Sequence, residues 1–308
     1  MERVLRALAV AVSLLALAGC GGGGEAAPPA DTQRPAETAP SPGAEPVPAP
    51  PQAPAVAMSW DSAGAFVWHE TDVSPEALGQ ELRDAGFGWV ALFLHDGLSE
   101  DPVEADWANR FRHASGLAVG GWGALRDRPA EEAALADRLL ARYGLDFYVA
   151  NPEAEYMYTG PDGPSPERFA RSRAFVDAFR RLRPELPAAV SSYCRADRHD
   201  LDWAAWREAG FAFLPQAYVN DFGSQATPAA CAAGARGFFP ADAVHPTVGM
   251  YPGVERSLRA AGYARLLASA GTVGFSVYLA ETRMTPQEWR ALGEAIRTRG
   301  IARTPAPS

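Results

Sequence analysis

The chain has 308 residues, of which 47% are hydrophobic and eight are Trp, and it carries a formal net charge of −9. The apolar content supports a real core. The acidic balance argues against nucleic acid or an anionic membrane face as a partner.

The amino end, "MERVLRALAVAVSLLALAGC", sets Arg3 and Arg6 before an apolar run, Ala7 to Ala18, that closes on small residues. That layout is a secretory leader, with an apolar core too short for a confident membrane span. Its last four residues, Leu17-Ala18-Gly19-Cys20, resemble the lipobox of bacterial lipoproteins. The resemblance implies cleavage after residue 19, lipidation of Cys20 and an extracytoplasmic, membrane-anchored protein. An ordinary leader cut nearby, or a short uncleaved anchor, is the alternative. Residues 20–57 are rich in Gly, Pro and Ala and hold almost no large apolar side chain. Such a stretch buries too little surface to offset its conformational entropy, and its Pro-rich part spans up to roughly 100 Å as a tether. Residues 303–308 form a tail of the same kind.

Between them, residues 58–302 repeat one pattern. Short apolar or β-branched strand candidates fall at 64–69, 89–96, 117–125, 146–155, 188–194, 211–220, 245–251 and 274–281. Helix candidates separate them. One opens at Ser74 with Pro75 and Glu76 in its first turn and closes at Gly86. Others open on Ser165-Pro166 and Thr285-Pro286 in the same way, and stop at Pro184 and Gly300. Further helical segments begin near 104, 128, 202, 227 and 254. Short strands alternating with helices imply parallel pairing through right-handed crossovers. Eight such units fit one closed α/β domain, a (β/α)8 or TIM barrel, better than an open doubly wound sheet. The latter would carry a Gly-rich phosphate turn after its first strand, where this chain has "HETDVSP".

A barrel of this kind presents its chemistry at the carboxyl ends of its strands. The candidates there are His69, His95 with Asp96, Trp122, Tyr193, Tyr251 and Glu281, with two richer sets on the fourth and sixth strands. On the fourth strand, Phe147, Val149, Asn151, Glu153 and Glu155 share one face by period two, apolar at depth and acidic at the mouth. On the sixth, Leu214, Gln216, Tyr218 and Asn220 repeat that gradient. Asp96 shares a phase with Leu92 and Leu94. Glu153 and Glu155, two residues apart on one strand face, have Cα atoms roughly 6.5 Å apart.

Carboxylates among aromatic and amide side chains suit glycosidic bonds. One carboxyl donates a proton to the leaving oxygen, and a second attacks, activates water or stabilises charge at the anomeric carbon. Trp and Tyr stack on sugar faces, and Asn and Gln bind hydroxyls. The expected substrate is therefore a polysaccharide or peptidoglycan-like glycan, with no cofactor and no metal, since His69 and His95 lack metal-ligand spacing. A monomer is expected.

This layout resembles the TIM-barrel glycoside hydrolases, and most nearly glycoside hydrolase family 25, the lysozyme-like muramidases with an Asp-x-Glu motif ending strand four. The matching stretch here is Asn151-Pro152-Glu153, followed by Ala154-Glu155. The resemblance implies that Glu153 is the proton donor. Asn151 stands where the family has aspartate, and His69 stands where an aspartate ends strand one. Asp96, Glu155 and Glu281 are the candidates for the second carboxylate. Asn151, Trp122, Tyr193, Gln216, Tyr218, Asn220, Tyr251 and His69 are the candidates for binding sugar. A non-catalytic carbohydrate-binding barrel is the first rival, and a two-lobed solute-binding lipoprotein the second. Cys194 and Cys231 either pair or remain two buried thiols.

Overall fold

A computed structural model describes residues 56–67, 74–104, 106–160, 162–219, 223, 226–249, 274–278 and 286–298. Cys20, His69, Asn220, Tyr251 and Glu281 lie outside these residues, as do the leader, almost all of the tether, the tail and the helix expected after residue 254.

Eight parallel strands carry the fold: β1 (Ala63–Val67), β2 (Trp89–Asp96), β3 (Ala118–Leu125), β4 (Tyr148–Pro152), β5 (Ala188–Tyr193), β6 (Ala212–Ala217), β7 (Thr247–Gly249) and β8 (Phe275–Tyr278). Each pairs with the next, and β8 pairs with β1, so the sheet closes on itself as a TIM barrel. The described helices are α1 (Pro75–Ala85), α2 (Trp107–Ser115), α3 (Pro129–Tyr143), α4 (Pro166–Leu182), α5 (Trp203–Glu208), α6 (Pro228–Ala235) and α7 (Pro286–Thr298). Among the described residues no helix is long and apolar enough to cross a membrane.

The helix starts follow from local chemistry. The hydroxyls of Ser74, Ser165 and Thr227 each accept a hydrogen bond, at 3.2 Å, from the backbone N–H three residues on. A proline follows each cap, where a missing N–H costs nothing. Gly86, Gly116 and Gly144 close α1, α2 and α3 in the left-handed region, at φ of 92°, 66° and 61°.

Side-chain alternation sorts the strands into two layers. Outward residues such as Val90, Leu92, Tyr148, Val190 and Phe213 pack under the helices. Inward residues, Phe66, Trp89, Ala91, Phe93, Trp122, Phe147, Val149 and Leu214 among them, fill the barrel. Trp60, in the segment leading into β1, meets Trp89 and Phe147 edge-on at 5.5 and 5.4 Å and plugs the amino-terminal end. These rings fit only because glycine faces them. A Cβ on Gly64 would lie 1.9 Å from the Trp89 indole, and one on Gly120 would lie 2.3 Å from Phe147. The glycine-rich run of β3 is thus a packing requirement of the large side chains on its neighbours.

One covalent link joins the periphery. Cys194, directly after β5, is bonded to Cys231 of α6, which answers the question of their pairing. The closed loop spans a sequence separation of 37 residues. Replacing both cysteines with Ser is expected to lower the unfolding free energy by about 3–4 kcal/mol through the extra freedom of the unfolded chain. Chemical denaturation of the two proteins checks this, and equal midpoints would show that the link contributes nothing.

Candidate active site

The strand carboxyl ends converge at one mouth, and β4 supplies its centre. The period-two pattern predicts a strand that runs on to Glu155. The strand instead stops at Pro152, which has no N–H to extend the ladder, and Ala154–Tyr156 form a 3-10 turn. Ser192 Oγ donates to the Pro152 carbonyl at 2.7 Å and fixes that end. The shared face of Asn151, Glu153 and Glu155 is therefore broken. Asn151 and Glu153 face the mouth, and Glu155 leaves on the turn.

Two amides hold Glu153. Gln216 Nε2 donates to Asn151 Oδ1 at 2.9 Å, and Asn151 Nδ2 donates to Glu153 Oε1 at 3.3 Å. Asn151 and Gln216 are 7% and 6% exposed, so their polar atoms must find partners inside the protein. Glu153 keeps some contact with solvent. Burial nevertheless pushes its carboxyl up to about 7. The Asn151 hydrogen bond opposes that rise, and the nearby negative charge of Glu155 adds to it.

The other two described carboxylates share one cation. Arg126 Nε donates to Asp96 Oδ1 at 2.5 Å and Nη2 donates to Oδ2 at 3.0 Å, while Nη1 donates to Glu155 Oε1 at 3.0 Å. Asp96 reaches this position through an irregularity. Leu92 and Leu94, with which it was expected to share a phase, point outward into the helix layer. Register with β3 shifts between Phe93 and His95, so His95 also points outward and Asp96 returns to the mouth. Simple alternation would have put Asp96 under the helices.

A buried acid braces this clamp. Glu132, fully buried in the first turn of α3, accepts from the Arg126 N–H at 2.8 Å and from the Arg128 N–H at 3.4 Å. Its second oxygen accepts from the Tyr156 hydroxyl at 2.7 Å. One carboxylate so ties the loop after β3 to the turn after β4. From α4, Arg171 Nη1 donates to the Glu155 carbonyl at 2.6 Å. Behind the mouth, His95 Nδ1 donates to the Gly97 carbonyl at 2.9 Å, and Nε2 therefore accepts from the Tyr148 hydroxyl at 2.8 Å. Burial holds His95 down at about 4, so the ring is neutral and serves the frame.

The remaining candidates divide. Tyr193 is half-buried and stacks on His199 at 4.5 Å, and burial together with the charges of Glu153 and Glu155 pushes its hydroxyl up. Trp122 is 5% exposed and sits among Phe66, Phe93 and Tyr278 in the barrel interior. It packs the core and offers no open face to a sugar. Tyr218, also 5% exposed, stacks on Tyr278 at 5.7 Å. His245 is buried at the amino end of β7, away from the mouth. His69, Asn220, Tyr251 and Glu281 lie outside the described residues. Sequence reading missed Arg126, Glu132 and Tyr156. Arg126 was the legible one, since it directly follows β3 and is a cation at a strand's carboxyl end. Among the described residues no three His, Cys, Asp or Glu side chains gather as a metal site.

Neither a family model nor a curated protein sequence matches the chain. Solved structures match its fold. A class V chitinase from Nicotiana tobaccum superposes with a TM-score of 0.56 at 6% identity, covering 76% of this chain and 98% of that one. The catalytic domain of a hyperthermophilic chitinase from Pyrococcus furiosus gives 0.54 at 11% identity, with coverages of 80% and 97%. A GH36 α-galactosidase from Geobacillus stearothermophilus gives 0.51 at 10% identity and 79% coverage of this chain, which spans only 42% of that enzyme's length. These neighbours are TIM-barrel glycoside hydrolases, and at such identities the likeness is one of fold.

The raised carboxyl of Glu153 has a consequence for stability. The folded protein holds this proton more tightly than the unfolded chain does. The stabilisation is full below about pH 4.5 and is lost as pH rises through about 7. Glu153→Gln removes the titration. Relative to the parent, the variant should gain roughly 2–3 kcal/mol of unfolding free energy between about pH 4 and pH 8. Denaturant titrations across that range measure it, and a pH-independent difference would mean that Glu153 titrates as an ordinary carboxyl.

Proposed function

We propose that this protein cleaves a glycosidic bond in cell-wall or extracellular polysaccharide, with Glu153 as the general acid. The observation that carries the reading is a carboxyl at the barrel mouth that stays protonated close to neutrality and is bonded to an amide, not to a cation. Asn151 donates to Oε1 and Gln216 is a second hydrogen-bonding partner, so two amides, and no directly bonded cation, orient the carboxyl. Donation from a carboxyl poised near the working pH is efficient in both directions of proton transfer.

Glu155 and Asp96 supply the second carboxyl function. Glu155 is the stronger candidate, because it lies close enough to Glu153 for its charge to raise that carboxyl. Held by Arg126, it is positioned to stabilise positive charge at the anomeric carbon or to orient water. The chitinase and α-galactosidase folds of the neighbours support a glycan substrate as a class. The leader, Cys20 and the tether support an extracytoplasmic position on a lipid anchor. The Cys194–Cys231 disulfide supports the same placement, since such links persist outside the reducing cytosol.

A second reading has its own observation. Both Asp96 and Glu155 are bonded to Arg126, and Asn151 occupies the position of an acid in the family resembled. A barrel that binds glycan without cleaving it would tolerate both features. Release of reducing ends from purified peptidoglycan or a soluble chitin derivative separates the two. The hydrolase reading expects turnover that declines as pH rises through about 7, and a loss of roughly 10²- to 10⁴-fold in Glu153→Gln. Retention of glycan with no reducing ends selects the binding barrel, and unchanged turnover in Glu153→Gln removes Glu153 from the chemistry.

A further inference from the structure

Among the described residues, few large apolar side chains are well exposed, and two of them touch each other. Tyr158 is 40% exposed and Phe169 is 36% exposed, and their rings meet edge-on at 6.2 Å. Tyr158 comes directly after Met157, which follows the turn that carries Glu155. Phe169 stands in the first turns of α4. Two exposed rings in contact make a small apolar patch, and Tyr158 stands a few residues along the chain from the candidate acid.

The backbone that carries them is fixed. Ser165 N–H donates to the Tyr158 carbonyl at 2.7 Å, and Tyr158 N–H donates to the Asp200 carbonyl at 3.2 Å. Thr159 N–H donates to Asp200 Oδ2 at 2.6 Å. Thr159–Gly160 and Gly163–Pro164 pair as a small antiparallel hairpin. The Arg168 guanidinium lies over Gly160, where a Cβ would come within 1.5 Å of it, and pairs with Asp162 at 3.4 Å. The backbone of the arm is thus held in shape, and its two rings are exposed.

Asp200 joins this arm to the loop after β5. One residue before it, His199 stacks on Tyr193 at 4.5 Å and 20°. The His199 carbonyl is held by the Trp203 indole N–H at 2.9 Å. Tyr193 ends β5 beside the mouth, within the field of Glu153 and Glu155. The rings therefore form one stacked and one edge-on pair, joined through Asp200, the first at the end of β5 and the second at the start of α4.

We infer that Tyr193, His199, Tyr158 and Phe169 form an aromatic path that binds successive sugars of a polymeric glycan extending from the Glu153 cleft. The inference rests on the hydrolase reading and deepens it by naming the residues that hold the polymer beyond the Glu153 cleft. Sugar rings have apolar C–H faces that stack on aromatic faces. A path fixed before binding loses little conformational freedom when a chain is laid on it.

The test pairs Glu153→Gln, which leaves substrate intact, with a Tyr158→Ser/Phe169→Ser double substitution in the same background. Co-sedimentation with purified peptidoglycan sacculi measures affinity, and cleavage of a short aryl glycoside by the protein with Glu153 intact measures the cleft alone. The inference expects about tenfold weaker binding to sacculi on loss of the two rings. It also expects unchanged cleavage of the short substrate, and binding retained in Tyr158→Phe/Phe169→Tyr. The two ring residues are exposed and the serine variant should fold, which near-ultraviolet circular dichroism checks. Equal binding to sacculi with and without the rings overturns the path and leaves the hydrolase reading standing. If the unaltered protein neither binds nor cleaves any glycan tested, the hydrolase reading fails and the path fails with it.

Discussion

The mouth of the barrel depends on how one guanidinium is shared. Asp96, Glu153 and Glu155 reach the same end of the sheet, and the Arg126 side chain bonds two of them and not the third. Three nearby carboxyls without a cation would repel one another. Arg126 lets Asp96 and Glu155 stand as a charged pair about a centre. Glu153 is left against two neutral amides, where desolvation rules its protonation. Had the guanidinium turned to Glu153, that residue would be an ionised carboxylate in an ion pair, with no proton to give. The difference between an acid and its charged neighbours is set by this one geometry.

That geometry is imposed from behind. A fully buried carboxylate such as Glu132 is expensive unless its oxygens are occupied. Both are, by the N–H groups at the start of α3 and by Tyr156. The partners belong to the loops after β3 and β4, the same loops that deliver Arg126 and Glu155. Arg171 adds a second brace from α4 to the Glu155 carbonyl. The frame thus presents its cation and its acid at fixed separation, on loops that would otherwise be the mobile parts of a barrel. The Cys194–Cys231 link roots the neighbouring loop, which carries Tyr193 and His199, in the same way.

Much of the architecture was legible because it is written locally. Ser-Pro and Thr-Pro caps, helix-closing glycines and period-two strands need only neighbours in sequence, and they placed the strands of the barrel within a few residues. The inward phases of Asn151 and Gln216 were legible for the same reason, and the two amides meet across the barrel. The failures share a different cause. The shift between Phe93 and His95 comes from fitting β2 against β3, where Gly121 and Gly123 make room for Leu94 and His95. The end of β4 was legible in Pro152 itself, which cannot extend the ladder, and only the β5 hydroxyl that fixes it was not. Trp122 was a candidate for binding sugar, but it packs inside the barrel, and the glycines beside it make room for Leu94 and His95. Such facts belong to pairs of strands, and a single strand read alone does not contain them.

The same distinction bears on Asn151, the residue that weakens the family resemblance. An aspartate at this position would accept from Gln216 as well as the amide does. It would not donate to Glu153 Oε1 unless it were itself protonated. Ionised, it would place another negative charge directly beside Glu153 and push that carboxyl higher still. The amide donates where the acid would repel, and it holds Glu153 Oε1 in place. With Arg126 already committed to two carboxylates, a further acid at the centre of the mouth would have no cation within the same clamp. An amide at this position is therefore consistent with the electrostatics around it. It suits a site in which a single protonated carboxyl, and not a pair of adjacent acids on one strand, carries the proton.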